Sequence, residues 1–127
     1  MSAAQERGFK PLSVAILDAG GQLIAFQKQD GASMLRFEIA TWKAFGALAV
    51  GSGSRWLDKA SAERPHFVAG LTAVLDGKIV PVASGVLFRN EAGDLLGAEV
   101  LTGGTSDNDE AAAVYAIEKT GLPPQPA

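Results

Sequence analysis

The chain contains one histidine, His66, and no cysteine. Metal sites and nucleophilic catalysis draw on those residue types first, so the options are narrow. A zinc site needs three or four nitrogen, sulfur or oxygen ligands, and one imidazole does not supply them. A Ser-His-Asp set can be written around His66, but no GxSxG elbow accompanies it. The plainer reading is a loop histidine after Pro65. Arg36 and Lys43 stand seven residues apart, so one helix face can present both cations to a carboxylate. Their plainer reading is a solvated stripe paired with Glu38. Further on, Gly103-Gly104-Thr105-Ser106 leads into Asp107, Asp109 and Glu110. A glycine turn entering a helix is a common phosphate site. Here three carboxylates occupy the helix start and the turn holds no Lys or Arg, so an anion is repelled. The acidic set has the oxygen ligands for a hard cation but lacks the twelve-residue spacing of an EF-hand loop. Capping explains it better. Thr105 or Ser106 serves as N-cap, with Asp109 or Glu110 completing a capping box. Gly103, Gly104, Thr105 and Asp109 are also candidates for the rim of a ligand pocket.

The totals bound what can position these residues. A length of 127 residues fits one domain. Hydrophobic residues at 47% and charged residues at 20% indicate a globular core and not a disordered chain. The net charge is −3, from 11 basic and 14 acidic residues. With no basic stripe and few aromatics, nucleic acid is not an expected partner. Absence of cysteine excludes disulfides and leaves the redox compartment open. No apolar run approaches a membrane span, and the opening MSAAQERGFK lacks the apolar core of a signal peptide. A cytoplasmic protein is the expectation.

The elements follow from periodicity and punctuation. Residues 2–8 read as the last turns of a helix ended by Gly8. Strands over 12–18 and 23–28 flank the turn Asp18-Ala19-Gly20-Gly21 and form a hairpin. Asp18 and Asp30 bracket it in Asx-turn roles. Ser33 caps a helix over 34–50. Its inward stripe is Leu35, Ile39, Trp42, Phe45 or Gly46, and Ala49, with Phe37, Ala40, Ala44 and Leu48 widening the apolar arc. A short helix spans 55–62. Residues 65–71 suit a loop or a short helix. Thr72–Leu75 and Lys78–Val82 read as a hairpin about Asp76-Gly77, its second arm weakened by Pro81. Strands over 85–89 and 95–102 pair across Asn90–Asp94. The last helix follows Gly103-Gly104 and stops near Gly121, and 123–127 read as an unstructured end. Strands arriving as hairpins give an α/β (α+β) fold with one mostly antiparallel sheet of about five strands, flanked by helices.

Three segments together carry a resemblance. They are VAILDAGGQLIAFQKQDGA, the helix segment IATWKAFGA, and LLGAEVLTGGTSDNDEAA after a Gly-Val strand. The sequence resembles the GlcG/HbpS-like family, haem-binding or haem-degrading domains, over about residues 9–121. The chain departs from the pattern in a short N-terminal helix and in VASG where proline-glycine-glycine is usual. The resemblance implies a single profilin-like domain, a homo-oligomer, and haem or a corrinoid as ligand. It makes His66 a candidate axial ligand and Arg36 and Lys43 candidates for a haem propionate. Without His66, ligation would fall to a methionine, a lysine, Tyr115 or a hydroxyl, all weaker choices.

Two readings of function follow. The first is a small-molecule-binding module, which the lack of a nucleophile–base or metal constellation favours over an enzyme. The second is an enzyme or enzyme accessory in haem degradation or 2-hydroxy-acid metabolism. In either, helix 34–50 has more apolar surface than one sheet can cover, which predicts assembly through that helix. The rival is that residues 64–75 fold over the same flank.

Overall fold

Ser13–Asp18 (β1) and Leu23–Lys28 (β2) pair antiparallel across a turn whose centre is the Asp18 carboxylate. Its Oδ1 accepts from the backbone N–H groups of Gly20 and Gln22, at 2.9 and 3.0 Å. These coordinates are a computed structural model, and the residues described are 13–32 and 34–127. The expected N-terminal helix at 2–8 and the Ser33 cap lie outside the described residues. A second hairpin joins Gly85–Arg89 (β3) to Leu95–Thr102 (β4). There Asn90 Oδ1 takes the Asp94 N–H at 2.9 Å. β1 also pairs antiparallel with β4, so the two hairpins join into one sheet, ordered β2-β1-β4-β3-β5. The final strand, β5, is Pro124–Gln125, antiparallel to β3. The tail expected to be unstructured thus supplies an edge strand. It is too short and too rich in proline to show a strand period in sequence.

Helices cover both faces. Arg36–Val50 (α1) lays Ala40, Ala44 and Ala47 on Ala15, Leu17, Leu87, Ala98 and Val100. Ser106–Lys119 (α4) lays Ala112, Ala113 and Ile117 on Val86 and Leu101 of the opposite face. Thr105 caps α4, its Oγ1 accepting from Asn108 N at 3.2 Å. Ser54–Glu63 (α2) and Pro65–Val74 (α3) pack on each other beside α1.

Two expectations are corrected. The small residues of α1 face the sheet, while Leu35 is 58% exposed and Phe37 38%. Alanines let the helix approach the strands closely, and a stripe of large side chains would hold it off. Residues 65–74 form α3 throughout, so Thr72–Val74 are helical and not a hairpin arm. Asp76 and Gly77 do take positive φ, 55° and 78°, as a tight Asp-Gly turn requires. The same left-handed geometry ends helices, and here it follows one. α3 packs against α2 and not over α1, so the rival cover for the α1 flank is not formed.

Candidate functional site

At the end of β4 the sheet, α1 and the start of α4 converge on a polar cluster. α1 contributes Arg36 and Lys43, two turns apart on one face. β4 contributes Thr102, its last residue. The chain before β3 contributes Ser84, and α4 contributes Asp109. Lys43 Nζ donates to Ser84 Oγ at 3.1 Å and to Thr102 Oγ1 at 3.5 Å. Arg36 Nη1 donates to the same Thr102 Oγ1 at 3.3 Å. Asp109 accepts from Gly103 N through Oδ2 at 3.2 Å and from Gly104 N through Oδ1 at 3.0 Å. It therefore reaches back past the N-cap to the glycine turn and does not close a capping box with Thr105. Glu38 makes no pair with either cation, and its Oε2 is buried without a hydrogen-bond partner.

Burial decides the electrostatics. Lys43 is 4% exposed and Asp109 1%, which rules out a solvated stripe for Lys43. Burial disfavours both charged forms. It lowers the Lys43 pKa, with Asp109 opposing and Arg36 adding to the effect. It raises the Asp109 pKa against the pull of the Gly104 and Gly103 N–H groups and the two cations. Among the described residues no carboxylate lies within ion-pair distance of Lys43.

Ser84 is the residue that sequence reading missed. Its φ is 116°, a region that side chains avoid. The backbone there holds a conformation that suits glycine, under a serine. Gly85 beside it has no room for a side chain: a Cβ would meet Lys43 O and Ser54 Oγ, each at 2.8 Å. Ser54 Oγ accepts the Gly85 N–H at 2.6 Å. Ser84→Gly and Ser84→Ala both lose the hydroxyl, but only glycine relieves the backbone. Ser84→Gly is therefore expected to be more stable than Ser84→Ala by about 1–2 kcal/mol in chemical denaturation. Equal stabilities would show that the backbone there is unstrained.

The structure brings Arg36, Lys43, Gly103, Gly104 and Asp109 together, with Thr105 beside them as the helix cap. His66 is not among them; it is exposed on α3. Arg55 of α2, unremarked in sequence, ties this corner together. Its Nε bonds Glu110 at 2.8 and 3.1 Å and its Nη2 bonds Asp107. On the opposite sheet face Glu99 lines an apolar cavity of about 180 Å³ with Ile16, Phe88 and Ile117.

An antiparallel sheet between helices, with a cationic cluster at one strand end, defines a small α/β domain. The chain belongs to the family described as haem degrading protein HbpS-like, whose model matches residues 1–118. It is similar to the crystal structure of a PduOC–haem complex, at 27% identity and a TM-score of 0.84, covering 95% of this chain and 86% of that one. It shares its fold with HbpS, at 24% identity and a TM-score of 0.75, covering 93% and 79%. It does so too with the Klebsiella pneumoniae protein ORFY, at 22% identity and a TM-score of 0.77, covering 92% and 81%. No curated protein matches the chain.

Haem, the group implied by the family, was tested against the residues present. Arg36 and Lys43 suit a propionate. The cavities near Glu99, Phe45 and Trp56 measure about 180, 160 and 140 Å³. Pockets that enclose a drug-sized ligand run from roughly 300 to 1,000 Å³. None of the three encloses a macrocycle, and His66 points into none of them. Arg36 and Lys43 thus suit the carboxylate of such a ligand, while these three cavities do not hold an enclosed, histidine-ligated ring. No helix among the described residues is long and apolar enough to cross a membrane.

Proposed function

We propose that the protein is a small-molecule-binding module that receives a ligand carboxylate at Arg36 and Lys43. The observation that carries this reading is a buried ammonium held by two hydroxyls, with no carboxylate within ion-pair distance among the described residues. Such a group costs several kcal/mol unless it loses its proton or gains an anion. A bound carboxylate supplies the anion. Haem, with its propionates, falls within this class, and the similarity to the PduOC–haem complex supports testing it first, with a corrinoid second. Its ring would lie on the surface near Arg36, covered by a second copy of the chain.

The module is proposed to act as a homo-oligomer. Met34, Leu35 and Phe37 at the start of α1, and Leu23 and Ile24 of the adjoining β2, remain exposed. Soluble monomers rarely leave such a group of large apolar side chains uncovered. Haem titration followed by absorption should give a shifted Soret band that Arg36→Ala weakens about tenfold, the loss of one charge-assisted contact. Light scattering should show an assembly that Phe37→Glu dissociates. A monomer would remove the oligomer. The absence of binding by haem, corrinoid and small carboxylates alike would remove the ligand reading.

A further inference from the structure

We propose that Lys43 is a carbonyl-capturing residue, forming an imine with a small 2-oxo acid whose carboxylate Arg36 holds. The inference rests on the carboxylate reading above and adds a covalent step to it. Its basis is the way the two cations are joined. Arg36 Nη1 and Lys43 Nζ share one hydroxyl, Thr102 Oγ1, at 3.3 and 3.5 Å. A 2-oxo acid carries its carboxylate and carbonyl carbon on adjacent atoms, so a short molecule can meet a guanidinium and an amine held this close. The packed surroundings of the cluster favour an acid of few carbons over a bulky one.

The amine is in the right state. Burial makes it lose its proton more readily than a surface lysine, with Arg36 adding to the effect and Asp109 and Asp58 opposing it. In the step, the Nζ lone pair attacks the carbonyl carbon and the C=O π bond opens. The carbonyl oxygen gains the proton that the nitrogen gives up, giving a carbinolamine. The carbinolamine hydroxyl then takes the remaining nitrogen proton and leaves as water, and a C=N bond replaces the C–O bond. No oxidant or reductant is consumed. Ser84 Oγ, 3.1 Å from Nζ, and Thr102 Oγ1 are the hydroxyls that can pass the proton from nitrogen to oxygen. The positive φ of Ser84 keeps its hydroxyl at Nζ, a strained placement of the sort seen at working sites. The imine nitrogen, once protonated, is balanced by the substrate carboxylate.

The test treats the protein at pH 7 with pyruvate and sodium cyanoborohydride, which reduces imines to stable amines. Labelling at each lysine is then followed by peptide mass spectrometry. Lys28, Lys59 and Lys78 are exposed and serve as internal references. Lys43 is expected to label faster than they do, because burial leaves more of it as the free amine. A buried lysine without this role labels more slowly than surface ones, so a slower or equal rate at Lys43 overturns the proposal. Calorimetry with pyruvate separates this result from the reading beneath it. Binding without labelling at Lys43 removes the imine and leaves the carboxylate site standing. No binding and no labelling removes both.

Discussion

Asp109→Ala is expected to cost about 1–3 kcal/mol of folding stability, the penalty for taking the acceptor from the backbone donors of the glycine turn. The carboxylate is 1% exposed and accepts two backbone N–H groups, from Gly103 and Gly104. Alanine takes the acceptor from both donors, and half-buried Gly103 is less able than exposed Gly104 to turn to water instead. It also removes the negative charge that eases the burial of Lys43. Asp109→Asn keeps one acceptor oxygen and should cost less than alanine. Urea denaturation of the three proteins measures the order. A cost below about 1 kcal/mol for alanine would show that the glycine turn does not depend on this side chain.

The second large effect is pH-dependent and lies on the other sheet face. Burial among Ile16, Phe88 and Ile117 raises the Glu99 pKa from 4.5 to about 7. The folded state therefore holds a proton that the unfolded state releases. The stability contributed by this group is complete below pH 4.5 and is lost as pH rises through about 7. Its full size is at most about 3 kcal/mol. Glu99→Gln is uncharged at every pH and should be more stable than the parent at pH 8, with the gap closing towards pH 5. Thermal melts across that range give the comparison, and parallel curves for the two proteins would rule the effect out.

Much of the fold was legible in residues with one physical meaning. Asp18-Ala19-Gly20-Gly21 and Asn90–Asp94 mark turns between apolar runs, and both hairpins of the sheet follow from them. Residues with two meanings were not so readable. Asp76-Gly77 has the same positive φ values whether it joins strands or ends a helix. In α1, periodicity gave a helix but not its inward face, because alanine packs against a sheet as well as leucine does. At the site, Arg36 and Lys43 were found from their spacing, and Gly103, Gly104 and Asp109 from helix-start chemistry. Ser84 and Thr102 escaped notice, since a lone serine or threonine beside an apolar run gives no sign of its partners. Only the tertiary approach of α1 to the ends of β3 and β4 reveals them.

The two borders of the sheet are not alike. β3 is fenced by the proline-bearing strand Pro124–Gln125, and Pro126 fills the space over Gly53, where a Cβ would lie 2.0 Å from it. β2 is bordered by no other strand among the described residues, and Leu23 and Ile24 stand in the open there. Proline cannot donate to a ladder and so ends it. Growth through strand pairing can thus proceed at one border only. Two copies joined along β2 would use up both open borders at once and leave a proline fence at each outer end. Such pairing stops at a closed twofold unit and cannot run on into a fibre.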